Sequence, residues 1–574
     1  MAANGMVDGP ESPLLEDTVA GAVDYRGLPA KRSTSGGWSS SYFIIGTEVA
    51  ERSAYFGIEA NLVNYLTGPL GQSTAMAAKN VNTWFGITTL LPLVGAFVAD
   101  SYMGRYRTIV IASLLYILGL GLLTMSAVLS SHNPSECQNT RKIMSCPPPQ
   151  FQVIFLFLSL YLVAVAEGGH KPCTQAFGAD QFDGRDSEEG KAKSSYFNWL
   201  NFCVGISLSV SMLTLSYIQD KLSWVLGFGI PCILMVVALL LFLLGTNTYR
   251  YSVKREDKNP FVRISKVFVE AARNWRLNPS SEKAIEEGAQ GTLSHQCSPE
   301  FKFLNKALLE TKFSAEDGKA CSVNEVEEAK AVLRLFPIWS TCLIYAMVLA
   351  QSSTFFTEQG MTMDRSIGSG FDIPSSSLKS FLTITVVLFI PIYDLVFVPI
   401  ATVFTRKPSG ITMLQRIGIG MFLSTISIAI AALVEMKRLK IAQEHGLVDM
   451  PNATVPMRVW WLVPQYVLFG LCNVFTTIGL QEFFYDQVPN ELRSIGVSLY
   501  LSIIGVGSFL SSFLIYFIEK ATGGDGQDSW FNDNLNKAHL DYFYWLLSGL
   551  NAVGLATYMH FAKSYVYNRR GVPP

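Results

Sequence analysis

Glu48, Glu51 and Arg52 stand at spacings i, i+3 and i+4 inside an otherwise apolar stretch. On a helix those spacings put all three on one face, within about 100° of arc. Arginine keeps its proton, whereas a carboxylate drawn out of water can gain one. Two acids sharing one arginine need not both stay ionised, so the trio has the makings of a proton switch. An ion pair locking two helices together is the plain alternative, but three ionisable groups exceed what a lock needs. Glu167, His170 and Lys171 form a second group in a glycine-flanked stretch, and Glu167 and Lys171 are again i, i+4 partners. Lys171 suits an anionic group of a bound solute, or an acid that releases it on protonation. For His170 a satisfied polar contact is the simpler reading. Asn473, followed by Glu482 and Asp486, offers polar groups in the second half of the chain.

These groups matter because of what surrounds them. The 574 residues are 49% apolar and 12% aromatic but only 16% charged, against about 25% charged in soluble proteins. The net charge of −1 gives no footing for a nucleic-acid partner. Stretches of the roughly 20 apolar residues needed to cross about 30 Å of hydrocarbon recur at 41–66, 81–103, 107–130, 151–175, 195–218 and 222–245. Six more fall at 332–357, 374–402, 412–436, 458–484, 494–519 and 541–564. The expected fold is an all-α membrane protein of twelve transmembrane helices in two six-helix bundles, 41–245 and 332–564. A disordered cytoplasmic tail over 1–40, a cytoplasmic linker over 246–331 and a C-terminal tail over 565–574 complete the expected domains. An ionised side chain at mid-bilayer costs at least about 2.5–3.5 kcal/mol, which makes both clusters functional candidates. The seventh span supplies only neutral hydrogen-bonding groups, Tyr345 and Gln351 among them.

The linker holds 14 Lys and Arg against 13 Asp and Glu, so it is no polybasic lipid patch. Apolar residues at helical spacing within Val262–Trp275 and Asn324–Leu335 suggest amphipathic helices along the membrane face. An even span count puts both termini and the linker on one side, assigned as cytoplasmic. The positive-inside rule supports this weakly, because Lys437, Arg438 and Lys440 fall in an opposite loop. A glycosylation sequon at Asn452 and a cysteine pair, Cys137 and Cys146, also fall on the opposite face, where one can be modified and the other can bridge. The remaining cysteines are scattered without metal spacing. Between spans 2 and 3 lies a stretch with Gly95, Asp100, Gly104, Arg105 and Arg107. Its glycines allow close helix approach, and its acid and arginines suit an ion-pair clasp that opens and closes in alternating access. Thr108 follows two arginines and is a candidate phosphorylation site.

That last stretch resembles the signature loop of the major facilitator superfamily. With Glu48-Val-Ala-Glu51-Arg52, Gly168-Gly-His-Lys171-Pro172, Phe177-Gly-Ala-Asp180-Gln-Phe182-Asp183, Asp364-Arg365 and Gln481-Glu482-Phe-Phe-Tyr485, the chain resembles the plant nitrate and peptide transporter family. This is the eukaryotic branch of the proton-coupled oligopeptide transporters, and the match runs from Gly37 to Tyr567. The resemblance implies a major facilitator fold and proton symport, with Glu48, Glu51 and Arg52 as the coupling site and Lys171 near substrate. It also implies a salt bridge from Lys171 to an acid in span 10, at the position occupied here by Asn473. That acid is missing, and Glu167, one turn from Lys171, is the candidate replacement.

The expected function is therefore proton-coupled symport of a small polar or anionic solute: nitrate, a di- or tripeptide, or a plant metabolite or hormone. A solute sensor or a pH-independent facilitator is the alternative. Arg52, Lys171, Glu167 and Asn473 are the candidate substrate residues. Family members that take nitrate through a span 7 histidine have it near Leu349, and those that hold a peptide amine have a span 7 acid; both are missing. No metal site and no catalytic constellation is evident, so neither an enzyme nor a cofactor beyond a proton gradient is expected. The expected partners are the solute, protons and membrane lipid. The chain is expected as a monomer or weak dimer in the plasma or vacuolar membrane.

Overall fold

The computed structural model describes residues 18–131, 150–183, 186–252, 260–276, 301–308, 321–367, 370–405, 411–451, 453–488, 493–523 and 529–565. Six long helices form the first half: α1 (Gly37–Glu59), α2 (Thr74–Val98), α3 (Arg105–Ser131), α4 (Gln150–Ala179), α5 (Ser187–Tyr217) and α6 (Trp224–Leu244). The second half begins with α7, Phe336–Leu349 continued by the turn Ala350–Ser353 and by Phe355–Met361. In α8, Lys379–Ile392 and Val398–Thr405 flank a π-helical turn, Tyr393–Phe397. After α9 (Met413–Glu444) comes α10, in which Val463–Cys472 and Ile478–Asp486 flank a second such turn, Asn473–Thr477. The half closes with α11 (Arg493–Thr522) and α12 (Leu540–Ser564).

Among the described residues ten helices are long and apolar enough to cross a membrane. α1 and α12 fall outside that set because polar residues dilute them: the Glu48 cluster in one, Asp541, Asn551, His560 and Lys563 in the other. Both pack as full members of the bundles. In the first half α1 lies against α5 and α6, α2 against α4, and α3 against α4 and α6. Six helices further on the pattern repeats: α7 against α11 and α12, α8 against α10, and α9 against α10 and α12. The halves meet where α2 packs on α11 and α5 on α8. In a bilayer, helix association rests on close packing, which small residues allow. A Cβ on Gly95 of α2 would collide with the Gly168 carbonyl of α4, and one on Gly86 would press on the Gly505 carbonyl of α11.

Several expectations change. The described part of the expected tail forms strands: β1 (Thr18–Val23) pairs with β2 (Pro29–Lys31) and with β3 (Tyr251–Ser252), just after α6. Ion pairs fasten this sheet, Arg32 to Asp183 at 2.6 Å and Arg250 to Glu189 at 2.7 Å. Gly36 takes φ +76°, and a side chain there would strike the Arg250 guanidinium. Strands this short carry no readable alternation, so the all-α expectation passed over them. The end of the molecule bearing this sheet is the tail side, and the opposite end the far side. On the far side β4 (Met363–Asp364) pairs with β7 (Val455–Arg458), and β5 (Ser366–Ile367) with β6 (Phe371–Asp372).

The helix α9 runs eight residues past its expected end, because Arg438 is not in a loop. It is fully buried, with Glu435 at 2.7 Å, Asn536 at 2.8 Å and the Leu535 carbonyl at 2.6 Å. A buried, paired arginine has no place in a count of loop charges. In the linker, helices Pro260–Arg273 and Val323–Arg334 form where amphipathic spacing predicts them. Their apolar residues Ile264, Val267, Ala271, Val326 and Ala329 are buried in one cluster with Leu304 and Ala307, so they face each other rather than lipid. Cys137, Cys146 and Asn452 lie outside the described residues.

Candidate functional site

Packing of α1 against α4 brings the two charged groups together. Arg52 is the centre: its Nε donates to Glu48 Oε1 at 3.1 Å, and one terminal nitrogen donates to Glu167 Oε1 at 2.9 Å. Glu51 Oε2 sits 3.2 Å from the same Nε without a hydrogen bond's geometry, because that N–H is aimed at Glu48. Glu48 Oε1 also accepts from Gln175 at 2.9 Å. Lys171 Nζ lies 3.7 Å from Glu167 Oε1. Glu48, Glu51, Glu167 and His170 are each 0–1% exposed and Arg52 4%. The Lys171 side chain, 32% exposed, is the most open member of the group.

This arrangement has a definite charge balance. Three carboxylates face two cations, which leaves one surplus negative charge in a low-dielectric setting. Buried charge is tolerated when paired, and a surplus is most simply removed by a proton. His170 Nδ1 lies 3.3 Å from Thr174 Oγ1, whose hydroxyl donates to the His170 carbonyl at 2.9 Å.

Asn473 stands elsewhere. Its side-chain oxygen accepts from Tyr345 and from Thr477, both at 3.0 Å, so the seventh span's neutral groups join α7 to α10. Lys171 is paired with Glu167 instead. Glu482 is half exposed and pairs with Arg416 at 3.3 Å, away from the cluster. In the α2–α3 connection, Ala99–Met103 forms a π-helical turn ended by Gly104 at φ +79°. Gly95 serves the tight crossing with α4. Arg105 reaches Asp180 at the end of α4, at 2.5 Å, which ties the loop to the first bundle. The side chain of Asp100 lies outside the described residues, and Arg107 is exposed. Thr108 is 6% exposed and its hydroxyl donates to the Gly104 carbonyl at 3.0 Å, a poor presentation for a kinase.

A second buried charge pair escaped the sequence reading. Glu59, at the far end of α1, accepts from Lys379 at the start of α8 at 2.5 and 2.7 Å. Ser353 of α7 donates to Glu59 at 2.6 Å and accepts from Lys379 at 2.5 Å. Nearby Thr67 donates to Glu358 at 2.9 Å and Asn64 to Ser375 at 3.3 Å. Asp220 with Arg365 at 3.5 Å, and Lys221 with Asp372 at 3.3 Å, extend the seam along its rim. All of these join the first half to the second, so the described state is closed on the far side.

Comparison with known proteins agrees with this architecture. A model described as "POT family" matches residues 106–531. The chain belongs to the POT family. Arabidopsis thaliana NRT1/PTR FAMILY 5.10 is 61% identical over 569 residues, covering 99% of both chains. NRT1/PTR FAMILY 5.14 from the same plant is 55% identical over 562 residues, covering 97% of this chain and 98% of its own. Among solved structures, an auto-inhibited POT family peptide transporter superposes with a TM-score of 0.69 at 20% identity, over 93% of this chain and 99% of that one. A POT family transporter in complex with 5-aminolevulinic acid gives 0.62 at 15% identity, over 91% and 96%. The POT fold is the twelve-helix major facilitator fold, and POT proteins are multi-pass membrane transporters, not enzymes.

Proposed function

We propose that this chain is a proton-coupled symporter of a small anionic solute, nitrate or a compact carboxylate, working by alternating access. The observation that carries the reading is the buried network of Glu48, Glu51, Arg52, Glu167 and Lys171, with one negative charge in excess. A proton entering from the acidic side neutralises that excess. It weakens the hold of the carboxylates on Arg52 and Lys171, and Lys171, the most open member of the group, then takes the anionic group of the solute. When the proton leaves, Glu167 reclaims the lysine and displaces the cargo. Glu167 thus stands in for the acid missing at Asn473, and Asn473 with Tyr345 offers neutral hydrogen bonds from the opposite half. The far-side pair of Glu59 and Lys379 serves as the outer closure, and the α2–α3 connection with Gly95, Gly104, Arg105 and Arg107 as the pivot on the tail side.

A POT family neighbour holding 5-aminolevulinic acid, a small zwitterion with a carboxylate, supports a cargo of this kind. No cofactor beyond the proton gradient is invoked. In this reading the tail side, with both termini, is cytoplasmic, and the protein resides in the plasma or vacuolar membrane. The test is current and labelled uptake in a heterologous cell at acidic and neutral pH, over nitrate, dipeptides and a panel of plant carboxylates. Acid-stimulated uptake of an anion is expected, without net current at one proton per monovalent anion. Uptake indifferent to pH and to proton uncouplers overturns the coupling.

A further inference from the structure

Away from the charged cluster, the seam between the halves carries an apolar groove of about 470 Å³ where α5 meets α8, a volume within the range of sites that hold small ligands. Leu213 and Tyr217 of α5 form one wall, Phe381 and Ile384 of α8 the other, and Ile367 of β5 with Trp460 close the far-side end. Both walls lie in membrane-spanning segments, Phe202–Leu222 and Ser375–Thr405. Leu213, Ile384 and Trp460 are 47%, 39% and 42% exposed, so in a membrane these apolar side chains meet lipid. Trp460 packs edge-on against Phe381, with ring centres 6.2 Å apart. Tyrosine and tryptophan at one end of a span mark the headgroup level. Close by in sequence stands the charged rim of the seam, Asp220 with Arg365 and Lys221 with Asp372.

An empty groove forfeits the dispersion contacts of its walls, and within a bilayer the molecules at hand to restore them are lipids. From Ser377 to Ile384 the groove follows α8 for roughly 10 Å at 1.5 Å per residue, a depth that takes the upper part of one acyl chain. The rim narrows the headgroup. Its two carboxylates and two cations balance, and Lys221 and Asp372, 31% and 51% exposed, present one charge of each sign. A phosphate beside Lys221 and an ammonium beside Asp372 match that pair. A purely anionic headgroup meets Asp372 with like charge, and a sterol brings a single hydroxyl. We propose that the α5–α8 groove binds one tail of a zwitterionic phospholipid of the far-side leaflet, with its headgroup at Lys221 and Asp372. The walls come from different halves, so the groove has this shape only while the far side is closed. A bound tail therefore favours the closed state. The site stands on the groove alone, and its effect on the cycle rests on the alternating access proposed above.

The test places the full chain in phosphatidylcholine vesicles containing a trace of phosphatidylcholine with a diazirine in one tail, and maps the photo-adducts by peptide mass spectrometry. Adducts should concentrate on residues 213–217 of α5 and 381–384 of α8. Leu213→Trp and Ile384→Trp fill the groove from either wall. Each should cut adducts on the opposite wall at least about fivefold, the factor that about 1 kcal/mol of displaced tail contact gives. A second readout is maleimide labelling of Ser375→Cys in detergent, a position 1% exposed in the closed seam. Added phosphatidylcholine should slow that labelling, and neither tryptophan variant should respond to it. Adducts spread evenly over the lipid-facing helices, or undiminished in both filled variants, mean an ordinary boundary layer and overturn the site. Equal or stronger adducts here from a phosphatidylglycerol or a sterol probe, or crosslinks between two copies of the chain across this face, assign the groove to another occupant and also overturn it. Labelling indifferent to phospholipid overturns the effect on the closed state. Uptake indifferent to pH overturns proton coupling and leaves the adduct map as expected here.

Discussion

Replacing Lys379 by alanine should drive the protein toward a conformation open on the far side. Glu59 is 1% exposed, and Lys379 and Ser353 are its described partners there. Removing one member of a buried pair strands the other charge at about 3–5 kcal/mol. That penalty applies only while the seam is shut, since an opened seam lets water reach Glu59. At 1.4 kcal/mol per decade the closed state should lose a factor of about 10² to 4 × 10³ against the open one. A cysteine at Ser375, 1% exposed and bonded to Asn64 across the seam, reports the change through its labelling rate by a membrane-impermeant maleimide. Labelling should accelerate by about two orders of magnitude in Lys379→Ala. The double variant Glu59→Gln with Lys379→Met, which leaves no stranded charge, should recover most of the protection. Equal labelling with and without Lys379→Ala refutes the closure argument. So does a double variant as exposed as the single one, because the effect would then come from lost packing and not from charge.

Three further outcomes follow from particular contacts. Glu167→Gln keeps the shape of the cluster and removes one of its three carboxylates, so acid stimulation of uptake should fall at least about tenfold, one decade being 1.4 kcal/mol; unchanged proton dependence excludes Glu167 from coupling. Arg438→Met should destabilise the second bundle by about 3–5 kcal/mol, because Glu435 is then left buried without its arginine, and the loss should appear as a lowered Tm in detergent. Adding Glu435→Met should restore much of it. Gly95→Val pushes α2 off the Gly168 carbonyl, and overpacking of this kind costs about 1–3 kcal/mol, to be read as reduced folded yield with the pH profile of the surviving protein unchanged.

How far the sequence alone could go depended on whether a contact is local. Glu48, Glu51 and Arg52 share a helix face, as do Glu167 and Lys171, so their alignment needs only the helical period. That Arg52 bonds Glu167 requires α1 to be placed against α4, which spacing does not specify. Glu59 and Lys379 went unnoticed for a related reason. Each sits at the end of a span, where a charge is ordinary, and 320 positions separate them. The linker helices were visible because amphipathic spacing survives in isolation. The β1–β2 hairpin was not, because β2 has only three residues and β1, Thr-Val-Ala-Gly-Ala-Val, no polar and apolar alternation.

The widened turns in four of the helices change how this chain should be compared with its relatives. At Ala99–Met103, Ile218–Leu222, Tyr393–Phe397 and Asn473–Thr477 the backbone takes in one more residue than a regular turn holds. One surplus residue rotates everything beyond it by about 100°. Asn473 opens such a turn, so in a relative with a regular α10 the side chain at the same depth and bearing beyond it carries a neighbouring number. Matching transport residues across the family by counting along α10 will then be off by one beyond that turn. Depth and bearing are the coordinates to align.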